Sequence, residues 1–289
     1  MTTAPIDPME IDIRDIHGLD ECRMVVAVQE AVWGTDSETV PASVLSVSMK
    51  RGGILIGAFA GQTLIGFVWS LQGVREGLLT QWSHMLAVLP EFRGGHVAER
   101  LKLAQRTRAI AAGVTLIEWT FDPLQAANAH FNLHVLGAVG ASYGIDVYGT
   151  LTGPLHRGTP TDRLMTEWWI AEPHVARRVA GREGPRPDAR LSARSAEVLE
   201  APEVLQVVAA GEWSRPVRTD ADPDWTARRV IVAVPARFSD LQQRDRELAM
   251  TWRLAMRDVM RQAFGHGYRA VDFYLNREAG GGAYLLAKT

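Results

Sequence analysis

The sequence predicts a mixed α/β (α+β) fold, a mixed sheet flanked by helices, on three observations. Glycine-punctuated strand patterns fill residues 54–89. A strand–loop–helix–strand run follows between Leu79 and Phe121. A second, smaller set of alternating helix and strand patterns begins after Ser195.

The elements follow in order. Ile11–Ile16 alternates apolar and polar residues, as a half-buried strand does. Asp20–Trp33 reads as a helix ended by Gly34, and Pro41 opens a short helix through about Met49 that Gly52-Gly53 stops. Ile54–Ala60 and Thr63–Gly73 form a hairpin pattern about Gly61-Gln62, and Leu79–Leu89 reads as a third long strand. A helix from Val97 to Ala112 carries Val97, Leu101, Ala104 and Ala111 on one face, interrupted by Arg108, with Gly113 in the C′ position. Arg100, Lys102 and Arg106 lie mainly off that stripe and read as a solvated face. Val114–Phe121 is a strand and Pro123–Leu136 a helix stopped at Gly137. Ser142–Tyr148 and Leu164–Ile170 read as closing strands.

Glu172–Ser195 changes character. It holds Arg177-Arg178, Arg182, Gly184-Pro-Arg-Pro187 and Arg190, and reads as a connector with a short helix at its start. Beyond it, Glu200–Ala210 reads as a helix, Arg229–Val234 as a strand, and Arg246–Phe264 as a long helix with Trp252, Met256, Val259 and Ala263 on one face. Tyr268–Leu275 is a strand, Gly280–Gly282 a turn and Ala283–Ala287 the last strand. The expected division is 1–172, a linker at 173–195, and 196–289.

Composition narrows the function classes. Apolar residues make up 47% of 289, enough for a substantial core. A net charge of −2 gives no electrostatic footprint for nucleic acid or an anionic membrane. The one cysteine, Cys22, excludes an internal disulfide and thiolate metal clusters, and its neighbours Met24, Val25 and Val28 make it a core residue. No leader pattern is visible, and no apolar run approaches the roughly 18 residues of a membrane span, so a cytoplasmic protein is expected. His130 and His134 have the i, i+4 spacing that can grip a metal, but the HExxH pattern is missing and no metal site is expected.

One segment carries chemistry. A strand ends at Val88; Pro90 and Arg93-Gly94-Gly95 follow; then a helix begins. Free N–H groups and the dipole at a helix start form an anion site, and glycines let backbone approach a pyrophosphate closely. Arg93 adds a compensating charge. Leu86-Ala-Val-Leu-Pro-Glu-Phe-Arg-Gly-Gly-His-Val-Ala98 resembles motif A of the GNAT superfamily of N-acetyltransferases. That motif reads Arg or Gln, two residues, Gly, one residue, then Gly or Ala, and falls here on Arg93, His96 and Ala98. Asn128–Gly137 resembles the family's following helix near the pantetheine. The resemblance covers about residues 11–171, and Phe121–Gln125 and Glu167–Trp169 look like a GNAT branch with a similar C-terminal extension.

The resemblance implies a GNAT-type fold and acetyl-CoA or another acyl-CoA as co-substrate. It places the cofactor on Leu86, Ala87, Val88, Arg93, Gly94, Gly95, His96, Val97, Ala98 and Asn128. A backbone N–H near Leu86–Val88 is expected to polarise the thioester where two strands splay apart. Acyl transfer to an amine needs a base. His84 resembles a histidine position of the arylalkylamine N-acetyltransferases, and Trp82, His84 and Leu86 are expected on one face of the strand. Glu118, in an apolar run, is the alternative base. Two positions depart from the family. His96 replaces the motif glycine, and three readings stay open: its imidazole crowds the pyrophosphate, pairs with phosphate, or marks a loop that binds nothing. Leu133 stands where many members have a tyrosine general acid, leaving Tyr143, Tyr148 or His134 as substitutes.

The expected function is acyl-CoA-dependent N-acyl transfer to a small amine or amino acid, by direct transfer. The alternative is a non-catalytic acyl-CoA sensor or scaffold. Oligomeric state stays open, a homodimer included. Finally, Leu86–Phe121 and Val232–Tyr274 share a strand–loop–helix–strand pattern, which suggests that the C-terminal region is a degenerate half-copy. Its loop, Ala236–Glu247, has no glycine and so no phosphate cradle.

Overall fold

The computed structural model describes residues 11–35, 39–149, 159–180, 200–222, 224–276 and 281–288. In chain order the elements are β1 (Ile11–Asp15), α1 (Gly18–Trp33), α2 (Ala42–Met49), β2 (Ile54–Ala60), β3 (Thr63–Arg75), β4 (Leu78–Val88), α3 (Val97–Ala111) and β5 (Leu116–Phe121). They continue with α4 (Ala126–Ala129), a π-helical stretch (His130–Val135), β6 (Val139–Gly144), β7 (Arg163–Trp169), α5 (Pro173–Val179), β8 (Glu203–Ala210) and β9 (Trp213–Arg218). The last are β10 (Arg229–Val234), α6 (Phe238–Arg244), α7 (Arg246–Gly265), β11 (Tyr268–Asn276) and β12 (Gly281–Lys288).

These elements form two compact units, Met1–Trp119 with Trp169–Pro187, and Thr120–Trp168 with Asp188–Thr289. This division differs from the sequence boundaries at 172 and 195, because two of its cuts fall inside β5 and β7.

In the first unit the strands run β1-β2-β3-β4-β5, antiparallel except for the parallel pair β4/β5. Cys22, Val25 and Leu45 of α1 and α2 pack with Leu55, Phe67, Trp69 and Ala87. Val97 and Leu101 of α3 pack in a separate cluster with Ile56, Ile65, Val68 and Val88. Each buried aliphatic side chain contributes about 1.5–3 kcal/mol, so Val97 and Leu101 pin the N-terminal end of α3 to the sheet. Gly66 permits close packing of β3 on β4, since a Cβ there would lie 2.7 Å from the Ala87 carbonyl oxygen. Arg100 and Arg106 are not a solvated face. They donate to the carbonyls of Ile11 (2.7 Å) and Ile170 (2.8 Å) and tie α3 to its neighbours.

In the second unit the strand order is β7-β6-β11-β12-β10-β8-β9, again largely antiparallel, with β8 and β10 parallel. Its core surrounds α7, whose Trp252, Met256, Val259 and Ala263 are fully buried, as the helical spacing predicts. Four expectations change here. Residues 203–210 form a strand rather than a helix, because Val204 and Leu205 are buried in β8 beside β10 and the valines suit an extended backbone. β9 was not anticipated; its Pro216 fits the edge position it occupies. The stretch Ala236–Glu247 is not an open loop but contains α6. The helix expected over Pro123–Leu136 is a short α4 running into a π-helix, with the Leu136 amide donating to the Phe131 carbonyl (3.0 Å).

The two segments that share the strand–loop–helix–strand pattern differ in their pairing. β4 and β5 are hydrogen-bonded neighbours, whereas β12 lies between β10 and β11 and is antiparallel to both. Arg182, Gly184–Pro187 and Arg190 of the connector lie outside the described residues.

Candidate active site

The site is built in the first unit from the C-terminal half of β4 and the entry to α3. A 3₁₀ turn, Pro90–Phe92, follows β4, and Arg93 Nε donates back to the Val88 carbonyl (3.1 Å), closing the loop on the strand end. Arg93 therefore fixes the loop through its guanidinium. Gly94 has φ +88° and His96 φ +59°, both left-handed, and Val97 starts the right-handed helix. Alternation of hand turns successive N–H groups toward one side, the geometry of an anion-binding nest. The Arg100 backbone amide donates to the His96 carbonyl (3.0 Å), and the amides of Val97 and Ala98 lie outside the intrahelical ladder. A Cβ on Gly94 would have nothing within 4 Å, and on Gly95 nothing nearer than 3.8 Å. Open space thus faces the loop, as a phosphate cradle requires.

His96 takes the backbone conformation that glycine would adopt there, at a cost of roughly 1–2 kcal/mol for an L-residue. Its Nδ1 lies 3.1 Å from Glu99 Oε2, so the ring is anchored to the first turn of α3. The turn into α3 therefore has a shape that a glycine at position 96 would also allow.

Upstream, the β4/β5 register runs from Thr80–Trp82 against Leu116–Glu118 and stops before Ser83 and Trp119, while β4 continues to Val88 against β3. His84 is the extra residue of a bulge, since Ser83 pairs with Ser70 and Met85 with Trp69. The bulge shifts the strand's alternation. Leu86 packs with the α3-side cluster, whereas His84 meets Trp69 of the opposite cluster edge-on (5.2 Å between centroids). The expectation that His84 and Leu86 share a face therefore fails. His84 is exposed, yet partial burial beside Trp69 lowers its imidazole pKa from the ordinary value, favouring the neutral, proton-accepting form.

Glu118 is not an isolated buried carboxylate: Arg75 Nη1 donates to it at 2.7 Å. Tyr143 and Asn128 belong to the second unit. Asn128 is exposed on α4. The Tyr143 hydroxyl donates to Asp162 (2.8 Å), and burial, then the Asp162 charge, raises its pKa. Tyr148 is exposed, its hydroxyl 3.0 Å from Thr120 Oγ1. Leu133 is a fully buried core residue. His130 and His134 stack at 4.9 Å, and both engage β11 through Nδ1, His134 at Asp272 (2.9 Å) and His130 at the Phe273 carbonyl (3.4 Å). Among the described residues no group of three or more His, Cys, Asp or Glu could hold a metal, and no helix is long and apolar enough to cross a membrane.

Sequence reasoning missed one polar cluster beside the site. Lys102 is 2% exposed; its Nζ donates to Ser83 Oγ (3.1 Å) and Gln105 Oε1 (2.7 Å) and sits 4.0 Å from the centroid of the Trp119 ring. Gln105 Nε2 donates to the same Ser83 oxygen (3.1 Å). Burial lowers the Lys102 pKa to about 7. The available signal was that Lys102, Gln105 and Ala109 share a helical face, one that contains a buried alanine.

No family model matches the sequence, and no curated protein sequence matches it. Solved structures are similar over about half the chain. The PaiA N-acetyltransferase of Thermoplasma acidophilum, in complex with coenzyme A, is 17% identical with TM-score 0.39, covering 54% of this chain and 97% of that one. A GNAT-family acetyltransferase of Streptococcus pneumoniae is 14% identical with TM-score 0.45, covering 55% and 98%. A chain of the NatC complex bound to Gag peptide and coenzyme A is 16% identical with TM-score 0.43, covering 55% and 98%. At such identities the GNAT-type reading of the fold rests on strand order and pairing: an antiparallel run β1–β4, then the β4–α3–β5 crossover with its strands parallel and paired over Thr80–Trp82 only.

Proposed function

We propose that this chain is an acyl-CoA-dependent N-acyltransferase of the GNAT type, acetylating a small amine or amino acid by direct transfer. The observation that carries the proposal is the left-handed backbone of His96, a conformation that a glycine at this position of the resembled motif would readily adopt. The PaiA and NatC structures contain coenzyme A, in agreement with this reading.

The Gly94–Ala98 amides would hold the pyrophosphate, aided by the α3 dipole. Bound there, acyl-CoA supplies an activated thioester. A backbone N–H among Leu86–Val88, beyond the last β4/β5 pair, would donate to the thioester carbonyl as negative charge develops on it. His84, kept neutral by partial desolvation, would accept the proton that the attacking amine loses.

One observation favours a second reading, binding without transfer. Leu133, where the family tyrosine would stand, is sealed in a core, and the Tyr143 proton is committed to Asp162. A thiol-release assay separates the two. Acetyl-CoA plus a panel of primary amines and amino acids should release free coenzyme A faster than acetyl-CoA alone. Tight acetyl-CoA binding with no amine-dependent release would overturn the enzyme reading in favour of a sensor.

A further inference from the structure

The last β4/β5 pair is Trp82 with Glu118. The next residue on β4 is Ser83 and the next on β5 is Trp119, and Lys102 of α3 touches both. Its Nζ donates to Ser83 Oγ at 3.1 Å and to Gln105 Oε1 at 2.7 Å, and lies 4.0 Å from the centroid of the Trp119 ring. Ser83 is buried, and so is Gln105, which also donates to Ser83 Oγ (3.1 Å). A lysine so deeply buried is uncommon. Here a hydroxyl, an amide and an aromatic face hold it. Ser83 also directly precedes the bulged His84.

We propose that Lys102 is a positioning residue: its amine, braced on Ser83 of β4 and Trp119 of β5, is the strut that holds the two strands apart just past their last pair and fixes the path of β4 from His84 to Val88. Replacing paired backbone at this point with a side-chain brace leaves the β4 edge available instead of zipped to β5. The consequence for thioester recognition rests on the acyl-CoA reading above; the strut itself does not.

The test compares the full-length parent with Lys102→Met, which keeps the volume and removes the donors. Amide hydrogen exchange on the ligand-free proteins should rise at least about tenfold in residues 83–88 of the variant, with β1, β2 and the body of α3 unchanged. Unchanged exchange in 83–88, or a uniform rise across the first unit, overturns the strut. Should Lys102→Met fail to fold, Ser83→Ala removes the braced oxygen and is expected to give the same local pattern at smaller amplitude; an unchanged pattern is equally fatal. Calorimetry with coenzyme A and with acetyl-CoA adds the functional arm. The parent is expected to bind acetyl-CoA more tightly than coenzyme A; Lys102→Met should bind coenzyme A within about threefold of the parent, since Arg93–Ala98 is untouched, but lose that expected preference. A retained preference contradicts the link from strut to thioester. If the parent binds neither compound, the acyl-CoA reading falls, and the exchange data alone decide the strut.

Discussion

Lys102 offers a quantitative test, because burial leaves its pKa at about 7 where an exposed lysine has about 10.4. Protonation changes on folding follow directly. Below about pH 7 both folded and unfolded chains hold the proton. Between about 7 and 10.4 the unfolded chain holds a proton that the folded chain has lost, so stability rises with pH in that window by up to about 1.4 kcal/mol per unit. From pH 7 to 9 the increment is about 2–3 kcal/mol, and complete burial of the amine leaves no reason to discount it for solvent screening. The chain has only three lysines, Lys50, Lys102 and Lys288. Selective ¹³Cε labelling therefore gives a readable spectrum, and Lys102→Met assigns the signal by removing it. The Lys102 resonance should shift with a midpoint near 7. In parallel, the stability of the parent minus that of Lys102→Met should grow with pH between 7 and 9. A midpoint above about 10, or parallel stability curves, would refute the burial argument and weaken the strut.

Three further outcomes are expected. Arg253 (1% exposed) makes a bidentate pair with Asp122 at 2.7 Å for both bonds; Arg253→Met should cost about 3–5 kcal/mol by chemical denaturation, and adding Asp122→Leu should recover much of it. His84→Gln should lower kcat/KM about 10²–10⁴-fold and abolish the acidic limb of the pH–rate profile, a limb whose midpoint in the parent lies below the usual histidine value; a profile unchanged by the substitution removes His84 as the base. His96→Gly should raise stability by up to about 1 kcal/mol, because glycine adopts the left-handed conformation without strain, and a clear loss would show that the Glu99 contact outweighs the strain.

Much of the first unit was legible because its signals are local. Alternation marks β1, a hairpin pattern about Gly61-Gln62 marks β2 and β3, and a helical stripe marks α3. The glycine-rich turn into α3 was legible through Gly94 and Gly95, but the left-handed backbone of His96 depends on a single φ angle that residue type does not dictate. The bulge at His84 was hidden for a similar reason: an extra residue in one strand is defined by its partner, here Ser70 and Trp69 of β3. Lys102 was misread because a charged residue off an apolar stripe normally faces water; only the convergence of Ser83, Gln105 and Trp119 gives it a buried place. In the second unit, helix and strand patterns were confused where burial by neighbours decides, as at Val204–Ala210, which becomes a strand through its pairing with β9 and β10. The ion pairs Asp122–Arg253 and Asp162–Arg257 join residues 131 and 95 positions apart, a separation that no local pattern can announce.

The central claim is that the loop from Arg93 to Ala98 still holds an acyl-CoA with His96 in place. Isothermal calorimetry of acetyl-CoA with the full-length protein tests it most directly. The account predicts saturable binding in the micromolar range, weakened when Gly95 is replaced by a bulky residue such as valine in a protein that remains folded. No binding by the folded parent would contradict it, and restoration of binding by His96→Gly would identify the imidazole as what closed the site.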